Sequence, residues 1–437
     1  MSTRVIDGAY TTLVSNIPNN VTARFGAIGV VGNFTSGVKY DSAGVATLGS
    51  GTPAGSTGAG DFTGWQTYDG NGNGFVYQFD SYDQVVKRFG KIYDEDWQSG
   101  TITGNGIDPS PYDSRHNLIR GLELIYLANP SVRTYVAVLD GSGTSASGAS
   151  VHAGVAEALA DLLKYDDISF VVSPGMNYNS TFQAHANTAS NETNQAERVY
   201  VGGGALQVVL ASGSKVPDLD ADEGQFADND WDALKQDSGR SIMVAGNVNY
   251  TFQAGSGSNI REVGGNFFAS YVAGLLSSIP EQQSLLRQAV GFTQKYNGDN
   301  FRWSRTDQTE LVTGRILHFK QSGGRNVFSR ALTHSPTTSD YKRITTRRVV
   351  DRVTKEVRAT SDTFVGKSNT DINRIGMRTS IDNKLISLSR FGLIQPGSTS
   401  NVWVEGTDIA DGVVRVSALF KPITEIEFVE IQLTVEI

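Results

Sequence analysis

The thirteen residues from Glu425 to Ile437, EIEFVEIQLTVEI, alternate apolar and polar side chains in two phases. Ile426 and Phe428 share one face. From Val429 the phase flips, so that Val429, Ile431, Leu433, Val435 and Ile437 point one way and Glu430, Gln432, Thr434 and Glu436 the other. A period of two sets one side of a strand against a core, and a one-residue phase change turns every later side chain to the opposite face. Two readings follow: a bulge within one continuous strand, or a strand that leaves its own domain after Phe428 and completes a sheet in a neighbour.

Upstream, strand-like runs alternate with helix-like ones. FGAIGVVGNF reads as a buried strand, and FVYQFDSYDQVVKRFG as a strand followed by a short helix carrying Val85, Val86 and Phe89. SRHNLIRGLELIYLANP predicts a helix with Leu118, Leu122 and Ile125 on one face. RTYVAVL, ISFVVSPG, ERVYVGG and RSIMVAGN predict strands. Ser150 is placed to cap a helix bearing Val151, Val155, Leu159 and Leu162, and GGNFFASYVAGLLSSIP is an apolar helix. This alternation predicts a central α/β domain over residues 113–330. Beyond it, ITTRRVVDRVTKEVRAT carries Val350, Val353 and Val357 on one stripe, and Asn369 opens a helix with Met377, Ile381, Leu385 and Leu388 at helical spacing. Strands in NVWVEG and GVVRVSALF complete an α+β C-terminal domain over 331–428. Residues 1–20 read as an N-terminal arm with a short strand at Ala9–Val14. Residues 21–112 form a β-rich region with a Gly/Ser/Thr/Ala loop from Asp41 to Gly74, and 429–437 a C-terminal strand arm.

Composition narrows the function. The 437 residues include no cysteine, which excludes disulfides and thiolate metal sites. No charged-then-apolar leader opens the sequence and no apolar run approaches ~18 residues, so neither export by a plain signal nor membrane insertion is expected. A net charge of −8 opposes non-specific binding of nucleic acid by the whole molecule. Tyr341 to Arg390, however, holds twelve Lys/Arg against five Asp/Glu. A basic face beside an acidic body suits docking on another copy or on an acidic partner, though a solvated pair of charged helices has the same composition. Arg347, Arg348, Arg352, Lys355 and Arg358 are the candidates for that face.

No stretch carries convincing chemistry. Gly366-Lys367-Ser368 ends like a phosphate-binding loop, but Ser361 stands where the loop needs glycine, and the segment follows a helix rather than a strand. Asp69, Asn71, Asn73, Gly74 and Asp80 approximate a calcium loop with too few carboxylates; a Gly-rich turn explains them as well as a weak metal site does. DLDADEGQFADNDWD is acidic but offset from that spacing, and reads as a solvated loop. The five histidines, His116, His152, His185, His318 and His334, fall in no ligand pairing, no GxSxG elbow occurs, and Val201–Gly204 lacks the third glycine of a dinucleotide fingerprint. No catalytic, cofactor-binding or metal-ligating residue is assigned.

The order of these segments resembles the tail sheath proteins of contractile phage tails and related contractile injection systems. YKRITTRRVVDRVTKEVRATSDTFVGKSNT resembles the family's I-x-V-R-R helix and its loop ending in Asn. VVRVSALFKPITEIEFVEIQLTVEI resembles its closing strand, FDSYDQVVKRFG its Phe-Gly-ending helix, and DDISFVVSPG its buried strand ending in Pro-Gly. Val327 to Thr333 departs from the family by lacking a Trp-Gly pair, and DGAYTTLVSN matches the N-terminal arm weakly, with Asp7 in place of proline.

The resemblance implies a central domain of subtilisin-like fold that is not a protease, and a C-terminal domain lying against the tail tube. It also implies that both chain ends are arms adding strands to neighbouring copies, through Tyr10, Leu13 and Val14 at one end and Val429, Ile431, Leu433, Val435 and Ile437 at the other. Partners would be other copies in stacked six-membered rings, the tube, the baseplate and the tail terminator, in a virion assembled in host cytoplasm. The alternatives are a non-phage injection-system sheath, a hydrolase on the α/β domain, and a nucleic-acid binder using the basic helices.

Overall fold

The structure, a computed structural model, describes residues 26–34, 38–40, 46–48, 68, 74–89, 117–140, 154–204, 208–209, 215–216, 234–246, 248–251, 260–296, 299–300, 302–405 and 412–425. The first half runs β1 (Ala27–Phe34), β2 (Val38–Tyr40), β3 (Ala46–Leu48), β4 (Val76–Phe79), α1 (Tyr82–Phe89), α2 (Asn117–Ala128), β5 (Thr134–Asp140), α3 (Val155–Leu162), β6 (Ile168–Asn177), α4 (Ser180–Ala189), β7 (Val199–Gly203), β8 (Val208–Val209) and β9 (Lys215–Val216). There follow β10 (Ser241–Val244), β11 (Val248–Thr251), β12 (Ile260–Val263), α5 (Gly265–Ser278), β13 (Thr293–Tyr296), β14 (Asp299–Asn300), α6 (Arg305–Thr313), β15 (Ile316–Leu317), β16 (Phe319–Ser322) and β17 (Arg325–Phe328). Last come α7 (Ile344–Asp362), α8 (Asp371–Arg390), β18 (Thr399–Trp403) and β19 (Arg415–Leu419).

A seven-stranded sheet in the order β15-β10-β7-β6-β1-β5-β4 forms the body. All its pairings are parallel except β4 on β5. Parallel strands are buried on both faces and therefore read as continuous apolar runs, as GVV in β1 and FVV in β6 do. Alternate residues divide between two cores. Ile28, Val30, Val136, Val138, Phe170 and Val172 face α2 and α5; Val31, Tyr135, Ala137, Leu139 and Val171 face α3 and α4.

Helix α5 crosses α2 at close range because of Gly274, and Gly121 lets α2 approach Pro174 of β6. A Cβ at Gly274 would stand 2.6 Å from the Ile125 carbonyl oxygen, and one at Gly121 would stand 2.2 Å from Pro174. Gly274→Val should therefore destabilise the fold by about 1–3 kcal/mol, as overpacking does. Urea unfolding of the variant checks this; an unchanged midpoint would mean that the helices can part without cost.

The C-terminal unit has its own core. Val349 and Val353 of α7, with Val357 beside them, pack on Met377, Ile381, Leu385 and Leu388 of α8, and Val402, Val416 and Ala418 of the antiparallel pair β18–β19 close the cluster.

Several expectations change. β1 is an interior strand of the central sheet and β4 its edge, so the β-rich region of 21–112 is not separate from the 113–330 domain. The N-cap of α3 is Gly154 rather than Ser150. The N-cap of α8 is Thr370, whose hydroxyl accepts from the Asn373 amide, whereas the Asn369 side chain takes a hydrogen bond from Arg374. The inner stripe of α7 starts at Val349, with Val350 only half-buried. Helix α4 was not foreseen because its sequence, STFQAHANTA, lacks a clean apolar stripe; its Asn179 cap, accepting from the Thr181 amide, was the available signal. No helix among the described residues is long and apolar enough to cross a membrane.

Candidate assembly surfaces

Helix α7 lies under the amino-terminal edge of the central sheet, and its cations point into that junction. Arg348 is buried; its guanidinium donates to the carbonyls of Leu276 (2.8 Å), Ile279 (2.7 Å) and Pro280 (3.2 Å). These carbonyls stand at the end of α5, where the last turn has no acceptor-satisfying amides of its own and a cation also opposes the helix dipole. Burial lowers the Arg348 pKa to about 10, with Glu281 resisting the change, so it stays charged near neutrality.

One turn along α7, Asp351 binds two guanidiniums. Arg347 donates to its Oδ1 at 2.6 Å, and Arg240, just before β10, donates to Oδ2 and Oδ1 at 3.2 and 3.1 Å. Arg347 also stacks over the Tyr341 ring at 4.2 Å. Further down, Arg358 makes a two-pronged contact with the buried Glu197 carboxylate, 3.2 and 2.8 Å. Arg352 pairs with Glu356 at 2.6 Å and approaches Glu281 at 3.9 Å, and Glu356 in turn holds Lys384 of α8 at 2.8 Å. Lys355 lines a cleft of about 780 Å³ between α7 and the strand starts; burial lowers its pKa, and Asp351 and Glu197 partly offset the shift.

The five candidates for an outward basic face are thus mostly turned inward. Arg347, Arg348 and Arg358 bolt the C-terminal unit to the central sheet, and Arg352 and Lys355 border the same seam; Arg347 and Arg348 are buried and do not form an outward face, while Arg352, Lys355 and Arg358 are half-buried. The reason is physical: the amino edge of the sheet and the end of α5 present carboxylates and bare carbonyls, and arginine satisfies both while its stem packs.

Several apolar side chains face outward beside exposed polar ones such as Arg378 and Arg390. Helix α8 buries Met377, Ile381, Leu385 and Leu388, yet on its opposite side Ile372 is 81% exposed, Ile375 65% and Ile386 48%, with Val365 in the preceding turn at 79%. Positions 372, 375 and 386 fall on one helical stripe. The β18–β19 pair is a second open surface. Within the described residues it has two strands only, and Leu419 is 74% exposed on the side away from the core. A lone two-stranded sheet is marginal in water. After β19 the chain bridges Pro422 to Ile394, and Glu425 accepts hydrogen bonds from Thr345 (2.5 Å) and Ser284 (3.4 Å) beside the first turn of α7. That places a carboxylate at a helix amino end, which the dipole favours. The strand-arm residues Tyr10, Leu13, Val14, Val429, Ile431, Leu433, Val435 and Ile437 lie outside the described residues.

The residues weighed for chemistry are used structurally. Asp80 pairs with Arg133 at 2.7 Å, while 69–73 lie outside the described residues, and no cluster of three or more potential metal ligands occurs among the described ones. Gly366-Lys367-Ser368 forms the turn between α7 and α8, with Lys367 over the Phe364 ring. Gly203 lets β7 approach the Gly265 carbonyl at the start of α5. His116 and His152 lie outside the described residues, and His334 is buried.

His185 and His318 are buried too. Desolvation lowers the His185 pKa to about 3, with the neighbouring Arg198 adding to the shift, and that of His318 to about 4. Between those values and the unfolded value near 6.5, only the unfolded chain takes up a proton. Stability should therefore fall as pH drops below about 6.5, by up to about 1.4 kcal/mol per pH unit for each histidine. Urea midpoints from pH 7 to 4.5 read this slope, and it should shrink in His185→Gln; an identical slope would count against the assignment.

Residues 336–436 match the family of the phage tail sheath C-terminal domain. No curated protein matches the chain in sequence. In fold, it is similar to a chain of the anti-feeding prophage baseplate, with a TM-score of 0.60 at 14% identity over 94% of both chains. It is also similar to the PVC sheath complex of an extracellular contractile injection system in its contracted state (0.58, 13%, 93% of this chain and 91% of that one). A third is a sheath tail protein from Desulfitobacterium hafniense (0.51, 10%, 91% and 97%). The protein is thus a mixed α/β chain with a parallel-dominant sheet, built on the fold of contractile-tail sheath components. Its C-terminal quarter, residues 336–436, matches the phage tail sheath C-terminal domain family, in line with the resemblance read from the sequence.

Proposed function

We propose that this chain is the structural subunit of a contractile tail sheath, without enzymatic activity. Copies polymerise as stacked six-membered rings around a tail tube, and the rings are tied together by exchanged terminal strands. The observation that carries the reading is the β18–β19 pair, a two-stranded sheet packed on α7 and α8 on one side. Incoming strands would complete it with backbone hydrogen bonds and pockets for alternate side chains. The Glu425 anchor supports an exit point for the C-terminal arm, with the phase flip at Phe428–Val429 marking the passage to the next copy.

Mechanism follows from unequal stiffness. The arginine-bolted body, with its central unit a non-catalytic subtilisin-like domain, moves as one block while the arms hold. An extended array can then collapse to a shorter, wider one without subunits parting, and better contacts between bodies drive the tube through the target envelope. The outward stripe Val365, Ile372, Ile375 and Ile386 replaces the buried arginines as the surface turned to the tube. Baseplate and terminator complete the tail, whether the particle is a virion or an injection system assembled in a host cytoplasm.

Electron microscopy of the purified chain, alone and with its tube protein, tests the proposal. Long striated cylinders are expected; well-folded monomers at every concentration and salt would overturn it.

A further inference from the structure

Arg347, Arg348, Arg352 and Arg358 of α7 each hold a carboxylate or a row of carbonyls. Lys355, on the same helix, forms neither a hydrogen bond nor an ion pair among the described residues. The reason lies in its neighbours, whose acids are already claimed. Asp351 is held by Arg240 and Arg347, Glu197 by Arg358, and Glu356 by Arg352 and by Lys384 of α8. Glu281, at the end of α5, stands 3.9 Å from Arg352. On the side of the strand starts, Asp80 and Asp167 lie beside Arg133, and Asp166 is exposed to solvent. A guanidinium reaches a carboxylate with two parallel donors, which an ammonium cannot match, so the arginines saturate the acids and the amine is left over.

An ammonium that has lost water without gaining an acceptor is disfavoured against its neutral form. Burial accordingly lowers the Lys355 pKa; Asp351 and Glu197 offset part of the shift, and Arg198 and Arg352 add to it. The amine is not sealed in, however. Lys355 is half-buried and borders the cleft of about 780 Å³, far more room than a short acyl group occupies. A desolvated lysine at an open cleft has the setting of a nucleophilic amine. Because the guanidiniums around the cleft are engaged, none is left to hold an anionic donor, and an uncharged one is favoured.

We propose that Lys355 is an acylation site, taking an acyl group from an uncharged thioester. The Nζ lone pair attacks the thioester carbonyl carbon and forms the C–N bond. The C–S bond breaks, and the thiolate leaves with the electron pair and takes up the proton that Nζ gives up. The product is a neutral amide, which removes the one unmatched cation from the seam and leaves the arginine contacts of Asp351, Glu197 and Glu356 in place. The inference concerns the single chain and does not depend on assembly.

The test treats the full chain with the acetyl thioester of N-acetylcysteamine near neutral pH, and peptide mass spectrometry reads the initial rate at each lysine. Lys355 should be acetylated at least about fivefold faster than Lys164, whose exposed ammonium is held by Asp161 at 2.7 Å and has its pKa raised by that hydrogen bond. In urea the two rates should converge. Arg358→Gln leaves the Glu197 carboxylate to Lys355 and should bring the Lys355 rate down to that of Lys164. Lys355→Gln, which carries a neutral amide at the same place, should keep the wild-type unfolding midpoint. Equal rates at Lys355 and Lys164 in the folded chain would overturn the proposal, and this comparison decides even where Arg358→Gln fails to fold. A Lys355 rate unmoved in folded Arg358→Gln would also overturn it, as would a lowered midpoint in Lys355→Gln, because the amine would then be holding a carboxylate that the seam needs.

Discussion

A chain ending at Phe428 is expected to keep its unfolding midpoint and to form no cylinders. The Glu425 contacts with Thr345 and Ser284, and the Pro422 bridge to Ile394, all lie upstream of the cut, so the C-terminal unit stays closed. What is lost is the intermolecular part. Val429, Ile431, Leu433, Val435 and Ile437 each contribute ~1.5–3 kcal/mol when buried in a partner, and each strand hydrogen bond ~0.5–1.5 kcal/mol. Ordering roughly nine residues costs ~1–2 kcal/mol apiece. The net gain is modest per joint, but it repeats at every subunit, and removing the arm abolishes it. Thermal melts followed by circular dichroism, with sedimentation and microscopy on the same samples, separate the two effects. Polymerisation of the shortened chain at the wild-type concentration would refute arm exchange. A lowered midpoint would show that the strand belongs to its own domain.

Asp351→Ala is expected to cost about 3–5 kcal/mol of stability, because it strands two buried guanidiniums. The carboxylate is reached by Arg240 from the central body and by Arg347 from its own helix, and all three side chains are nearly enclosed. Removing one member of a buried charge cluster is worse than removing all of them, since an unpaired buried cation keeps its full desolvation penalty. The triple variant Arg240→Met/Asp351→Leu/Arg347→Leu should therefore recover much of the loss. Urea denaturation of the three proteins at pH 7 measures the difference. A loss below about 1 kcal/mol for Asp351→Ala would mean that water enters the seam and solvates the arginines.

Much of the architecture was legible because burial leaves a periodic trace. The apolar runs of β1, β5, β6, β7 and β10 announced strands buried on both faces, and the stripe Met377, Ile381, Leu385 and Leu388 announced the inner face of α8. Local chemistry was legible where it is self-contained, as in the failure of Gly366-Lys367-Ser368 to follow a strand. Helix α4 was lost because its burial depends on what surrounds it, and Ser150 was misplaced as a cap because cap positions turn on a residue or two.

The sequence by itself determined most of the strands of the central sheet and the long helices that pack on it, the paired helices α7 and α8, and the change of phase at Phe428–Val429. These are properties of near neighbours, set by side-chain period and backbone preference. The tertiary structure alone decided that β1 lies inside the central sheet and that the arginines of α7 point inward. Periodicity shows that a helix has a charged face, but not what that face meets. Only folding brings Asp351, Glu197 and the end of α5 against it, and with those partners in place a surface that reads as solvated becomes the seam of the molecule.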